Sequence, residues 1–319
     1  MSDTTWDCIV VGAGAAGLSA ALVLGRARRR TLVIDAGAQS NRVAHGTGGL
    51  LGQDGRRPAD FYAAGRAELA AYPTVELRSA EVVAGKRGEA GFVLESSDGS
   101  REAARLVLLA TGMDYRFPAL PGIAERFGRS VFHCPFCHGW EVRERRLGVL
   151  DRGATGMQRA LLLRFWSDDV TLLTDGPAEL VAEDRDRLAA AGVQIDERHV
   201  AGVDGPVETL TAIAFTDGGT RACGGLLVPV TLHQRSTLAG RLGAVASAAG
   251  HVAADALEVD PMLRTTASGL FAAGDVSAKM PSVANAIAAG STAAAVVVHD
   301  LMSEAGDRLV SDPRHPAPA

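Results

Sequence analysis

A chain of 319 residues is long enough for two ordinary domains, each with its own core. It is 47% hydrophobic and 22% charged with a formal net charge of −5, and its one basic block, residues 26–30 (RARRR), falls between a helix pattern and a strand, so nucleic-acid binding is not indicated. No run of about 18 apolar residues is expected to span a membrane. The N-terminus lacks the basic start and apolar run of a signal peptide, and four cysteines are no disulfide scaffold, so a reducing cytoplasm is the expected location.

Residues 8–11 (CIVV) are a continuous apolar run, which predicts a buried parallel strand. Gly12-Ala13-Gly14-Ala15-Ala16-Gly17 follows at once, then an Ala- and Leu-rich helix pattern over 18–25, then a strand over 31–34 (TLVI) ending in Asp35-Ala36. The physics fits a dinucleotide. Gly12 makes the tight turn, Gly14 admits a pyrophosphate close to the backbone, and Gly17 lets helix and strand pack. Free N–H groups at the helix start face phosphate, and Asp35 accepts from a ribose hydroxyl. Further on, residues 106–112 (LVLLATG) predict a strand ending in Ala110-Thr111-Gly112. Residues 269–276 (GLFAAGDV) predict another, ending in Gly274-Asp275 ahead of a helix over 281–301.

Residues 118–122 (PALPG) read as a linker. Beyond them, 147–150 (LGVL), Asp151-Arg152-Gly153-Ala154-Thr155-Gly156, a helix pattern over 157–166 and a strand over 170–173 (VTLL) repeat the strand–turn–helix–strand order. The fingerprint here is altered. Asp151 sets a side chain at the tightest point of the turn and a negative charge where a pyrophosphate would lie, and Thr174-Asp175-Gly176 offers no arginine for a 2′-phosphate. This reads as a nucleotide fold that has lost its ligand. Asp175, able to take an NAD ribose, and Arg152, able to neutralise a phosphate, argue the other way.

Before this second repeat lies VFHCPFCHGWEV, residues 131–142. Zinc needs two more ligands at matching spacing, and Cys8 and Cys223 sit alone in apolar stretches, so no metal site is expected. A static disulfide does not suit the compartment. A redox pair, Cys134 and Cys137, is the leading reading, because a Cys-x-x-Cys spacing lowers thiol pKa and eases exchange.

The three glycine motifs, the Cys-x-x-Cys and the broken second repeat resemble the low-molecular-weight thioredoxin reductases over nearly the whole chain. The resemblance implies an α/β protein of two Rossmann-like, three-layer ββα domains. Residues 1–116 and 244–319 would form the FAD-binding domain, with a disordered tail, and 117–243 an NAD(P)H-like domain carrying the cysteines. In that family FAD is the cofactor, the aspartate matching Asp275 binds the ribityl chain, and the following helix, with Ser282 and Val283 at its start, points at the flavin. Gln39, Asn41 and Arg42 would line the ribose and phosphate path, Gly46 would lie near the isoalloxazine, and Val82 would lend backbone groups to the adenine. Residues 282–285 replace the Arg-Gln pair of the reductases. A homodimer through FAD domains is implied as well.

Most reductases follow the cysteines with Asp-Gly; this chain has His138-Gly139. Cys-Pro-Phe-Cys-His-Gly resembles the flavin-dependent dithiol oxidases that close disulfides in natural products such as gliotoxin and holomycin. An oxidase must take a proton from an incoming thiol, and a neutral imidazole suits that task; packing beside the pair is the other role open to His138. His45 is a second proton carrier or a hydrogen-bonded structural residue. The expected activity is oxidation of a small-molecule dithiol by O2. The alternatives are a disulfide reductase fed by NAD(P)H or ferredoxin, and a non-catalytic flavin-binding sensor.

Overall fold

The computed structural model describes residues 5–88 and 91–311, and side chains as far as 303. The tail from 312 onward, expected to be disordered, lies outside the described residues. In chain order the elements are β1 (Trp6–Val11), α1 (Ala15–Arg26), β2 (Thr31–Asp35), α2 (Pro58–Leu69), β3 (Val75–Ser79), β4 (Val82–Gly88), β5 (Gly91–Ser96), β6 (Arg101–Leu109), β7 (Met113–Arg116), α3 (Ile123–Arg126), β8 (Val131–Phe132) and α4 (Pro135–Val142). There follow β9 (Leu147–Leu150), α5 (Gly153–Leu163), β10 (Val170–Leu173), α6 (Ala182–Ala190), β11 (Val193–Asp196), β12 (Val200–Asp204), β13 (Ala212–Phe215), β14 (Thr220–Ala222), β15 (Gly225–Leu227), β16 (Thr231–Gln234), α7 (Leu238–Arg241), β17 (Leu270–Ala272) and α8 (Val283–Ser311).

The chain divides into two units. The first comprises Met1–Ser40, Ala59–Tyr115 and Leu232–Ala319, the second Asn41–Pro58 and Arg116–Thr231. Relative to the division read from sequence, the return comes at Leu232 rather than 244, because β16 pairs with β7 and Leu232 exchanges backbone bonds with Val252 and Ala254. The segment 41–58 goes with the second unit.

In the first unit the sheet order is β3-β2-β1-β6-β5-β4, with β17 also on β6. β1 pairs in parallel with both β2 and β6, which explains its unbroken apolar run: a strand flanked on both sides and covered on both faces has no exposed positions for polar residues. β6 is shared along its length, carrying antiparallel β5 at Phe92↔Ala104 and parallel β17 at Phe271↔Leu108. On one face α1 and α8 pack with Val10, Val33, Leu108 and Phe271 in one core cluster. Each fully buried large aliphatic side chain stabilises by about 1.5–3 kcal/mol. The basic block is a helix end: Arg26 lies in the last turn of α1, where a cation suits the helix dipole.

Against the expectation from sequence, the first unit holds a long apolar helix. Val283–Ser303 of α8 is long and apolar enough to cross a membrane by length and composition, with mean hydropathy 1.3. Small residues keep each position only weakly apolar, so no obvious run stands out, and Ala293, Ala294, Val297 and Leu301 are spent on the core against α1. α8 also starts at Val283 rather than 281, because Ser282 caps it: its Oγ accepts the Asn285 N–H at 3.1 Å.

In the second unit β11-β10-β9-β15-β8 form a parallel sheet. One core cluster joins Val149, Leu172 and Leu227 to Met157 and Leu163 of α5 and Leu188 of α6. Another joins Leu150, Leu173 and Leu226 to the antiparallel meander β12-β13-β14 through Ile213 and Phe215. Meander, sheet and helices make three layers. α5 begins four residues earlier than its apolar pattern, since Gly153–Gly156 carry no large apolar side chain to mark the first turn.

Candidate active site

The first unit builds a cradle from β1, α1 and β6. Gly12 has φ +103°, and a Cβ there would lie 2.4 Å from the Ala110 carbonyl oxygen. A Cβ on Gly17 would lie 1.8 Å from the Gly12 oxygen, so only glycine lets α1 start this close to β1. Gly14, by contrast, has only Gln39 within ordinary contact. It is the N-cap of α1 with no side chain over the first N–H groups of Ala15, Ala16 and Gly17, which leaves donors for an anion.

Asp35 ends β2 as expected. Its carboxylate accepts the Ala13 N–H at 3.0 Å, Gln39 Nε2 at 3.2 Å and Arg66 Nη2 at 2.6 Å. Burial pushes its pKa up, but the Ala13 N–H, Arg66 and the Gly37 N–H outweigh burial and hold it below the usual range. Gln39, expected along the ribose path, is bonded to this aspartate. Asp275 follows Gly274, whose φ is +85°. It is half-buried, and Tyr115 Oη donates to it at 2.9 Å. Burial raises its pKa, partly offset by Tyr115 and Arg235. A carboxylate has more acceptor positions than one phenol fills. Open N–H groups, a cradle that a Cβ would block and a carboxylate with spare acceptors suit a dinucleotide with a polyhydroxyl chain. Val82 opens β4, opposite Ser96. Thr111 and Gly112, at φ +65°, follow β6, and Ala36 follows β2. Asn41, Arg42 and Gly46 fall in the second unit.

The cysteine helix is local chemistry. Cys134 is the extended N-cap of α4 and Pro135 sits at its first turn, where the missing N–H costs nothing. The two Sγ atoms are 2.6 Å apart. The Cys137 thiol donates to Cys134, and this, with the Cys137 and Phe136 N–H groups, lowers the Cys134 pKa to about 7 against the effect of burial. Cys137 moves up, through its bond to Cys134, burial and the Glu141 charge. In the reduced pair Cys134 is therefore the sulfur that ionises first, while Cys137 keeps its proton. In the reduced protein, iodoacetamide should modify Cys134 with a half-maximal rate near pH 7, rising with pH as thiolate forms; a midpoint near the ordinary thiol value of 9.0 would contradict this.

His138 Nε2 lies 3.0 Å from the Gly128 carbonyl oxygen, which can only accept, so that nitrogen carries the proton. Nδ1 keeps its lone pair, buried and without a partner. Burial lowers the His138 pKa, favouring this neutral form. His133 stacks on Phe127 and is pushed down to about 4 by burial, then by the charges of His138 and Arg159. A Cβ on Gly139 would lie 2.8 Å from the Trp166 indole, and one on Gly48 would lie 2.9 Å from the Cys137 carbonyl oxygen. These two glycines let α4 and the 46–56 loop pack tightly. His45, Cys137, His138 and Glu141 line a cavity of about 150 Å³. Among the described residues no cluster of three His, Cys, Asp or Glu is placed to hold a metal. Cys8 and Cys223 are buried, the latter raised to about 11 by burial.

The second dinucleotide turn is filled by its own side chains. Asp151 pairs with Arg159 of α5 at 2.6 Å and accepts the Arg152 N–H at 2.8 Å. Arg152 reaches Glu179 at 3.4 Å and the Asp175 carbonyl oxygen at 3.1 Å. Asp175 takes the Val200 N–H at 2.9 Å. The expectation of a crowded turn at Asp151 needs correcting: Asp151 is not in the left-handed region, and Gly153, at φ +59°, makes the reversal. What Asp151 changes is charge.

The chain belongs to the pyridine nucleotide-disulphide oxidoreductase family, whose sequence model matches residues 6–290. It is a flavin-dependent thiol/disulfide oxidoreductase. It is 31% identical over 311 residues to thioredoxin reductase tcpT of Claviceps purpurea, covering 93% of this chain and 95% of that one. Among solved structures it is similar to HlmI, at TM-score 0.88 and 33% identity over 98% of each chain. It is also similar to an oxidoreductase from Agrobacterium tumefaciens, at TM-score 0.88 and 35% identity over 94% of this chain and 99% of that one.

Sequence reasoning missed Arg66, Tyr115, Arg159 and Glu141. Only Glu141 carried a signal, its place one helical turn beyond Cys137.

Proposed function

We propose that the protein is an FAD-dependent dithiol oxidase that closes an intramolecular disulfide in a small-molecule dithiol and passes the electrons to O2, giving H2O2. The observation that carries this reading is the Asp151–Arg159 pair in the second dinucleotide turn, which puts a closed ion pair where a reductase receives its coenzyme pyrophosphate. The neutral His138 beside the cysteines supports it. Gly12, Gly14, Gly17, Asp35 and Asp275 would hold FAD, which when bound accepts the electron pair from the cysteines and yields it to dioxygen.

The chain's own residues do the rest. His138 Nδ1 takes the proton of one substrate thiol. The resulting thiolate attacks Cys134 Sγ of the oxidised pair, forming a mixed disulfide and expelling Cys137. The expelled Cys137 thiolate takes the proton of the second substrate thiol, whose sulfur then attacks the first and expels Cys134 as thiolate. The low pKa of Cys134 makes it the better leaving group for this closing step. The sum is dithiol plus O2 to disulfide plus H2O2.

A second reading, a disulfide reductase, is favoured by the names of curated relatives such as tcpT and by the glycines retained at 153 and 156. Mixing the purified holoprotein with dithiothreitol in air, without NAD(P)H, should yield peroxide and oxidised dithiothreitol in equal amounts. No turnover, together with rapid anaerobic bleaching of the flavin by NADPH, would replace the oxidase by the reductase.

A further inference from the structure

The cavity beside Cys137 contains a charge that the scheme above does not use. α4 places Cys137, His138 and Glu141 at helical spacings of three and four, and all three line that cavity. With Nε2 fixed on Gly128, a proton arriving at the buried Nδ1 of the half-buried His138 creates an imidazolium, and a charge withdrawn from solvent requires a counter-charge. The other charged and titratable groups facing this ring do not supply one. Glu208 is paired with Arg129 at 3.0 Å. Arg145 and His45 carry the wrong sign or none, and His133 is kept neutral by its own burial. Glu141, which lines the cavity, makes no hydrogen bond or ion pair among the described residues, and its charge favours the protonated forms of both His138 and Cys137.

We infer that Glu141 is a positioning residue of the reaction: its carboxylate is the counter-charge for the His138 imidazolium formed as a substrate thiol ionises, and it opposes a second negative charge on Cys137, leaving Cys134 as the thiolate of the reduced pair. The first half rests on the base role proposed for His138. The second half stands on the reduced cysteine pair alone. Glu141 is exposed, so solvent screens it and the effects are moderate rather than all-or-none.

The test is Glu141→Gln in the full chain, read in two ways. In reduced protein carrying Cys134→Ser, the iodoacetamide midpoint of Cys137 should fall by about half a pH unit on adding Glu141→Gln, since a like charge has been removed. With dithiothreitol in air, Glu141→Gln should slow turnover roughly threefold to tenfold and move the acid limb of the pH–rate profile to lower pH, because the imidazolium has lost its partner. Glu141→Asp should restore most of the rate. An unchanged midpoint and an unchanged profile would overturn the inference while leaving the oxidase reading intact. A wild-type protein that does not turn over dithiothreitol would remove the oxidase reading, and the alkylation midpoint would still decide whether Glu141 acts on Cys137.

Discussion

Cys134→Ser and Cys137→Ser should each lower dithiol turnover by a factor of about a thousand or more, and the double variant should be little worse than either. The two sulfurs, 2.6 Å apart, act as one redox unit, and an oxygen at either position cannot make the S–S bond that is opened and reformed. The fold should not suffer. Cys134 is the N-cap of α4, a position where serine is among the preferred residues. Cys137 is half-buried, and serine is nearly isosteric with it. Peroxide release and oxygen uptake give the rate, while far-ultraviolet circular dichroism and flavin absorbance check the fold. A single variant that keeps more than a tenth of the wild-type rate would show that the pair is not the route of electrons.

Gly290→Ala should destabilise the first unit, against the direction that helix propensity predicts. Within α8 alone, alanine is better than glycine by about 1 kcal/mol. In the packed unit a Cβ at 290 would lie 2.0 Å from the Ala16 carbonyl oxygen, on α1. That atom is backbone at the end of the phosphate-binding turn and cannot swing aside as a side chain would. Overpacking of a rigid core costs about 1–3 kcal/mol and more where the backbone must move, so the clash wins. The expected result is a fall of several degrees in melting temperature with weaker retention of flavin, seen by thermal denaturation and by the flavin content of the purified protein. A rise in melting temperature would mean that α1 and α8 separate more readily than this contact allows.

The parts legible in sequence were those set by neighbours along the chain. β1, the Gly12–Gly17 turn, α1 and β2 are contiguous, so an apolar run, three glycines and a terminal Asp35 identify them without tertiary information. Cys134 and Cys137 lie on one helical turn, and Pro135 announces the start of that turn. What escaped depended on distant partners. Tyr115 reaches Asp275 across 160 positions. Arg159 lies two turns into α5 from Asp151, and nothing in either residue type announces the pair. The assignment of residues 41–58 to the second unit depends on contacts such as Gly48 against the Cys137 carbonyl, which composition does not encode. α8 was blurred for another reason: alanine is apolar enough for a core and too small to mark a stripe.

The double use of β6 bears on how the chain is assembled. One edge of β6 is satisfied early by β1, along Ala104–Leu109, and the first half of the other edge by β5, but the rest of that second edge, Val107–Leu109, waits for Leu270–Ala272. Joining strands that far apart closes a very long loop, which slows the step that needs it. During synthesis from the N-terminus, the β9–β15 sheet is complete before β17 has been made. The N-terminal part of the first unit therefore emerges from the ribosome with the Val107–Leu109 edge still open, and this is the stage at which a chaperone has most to protect.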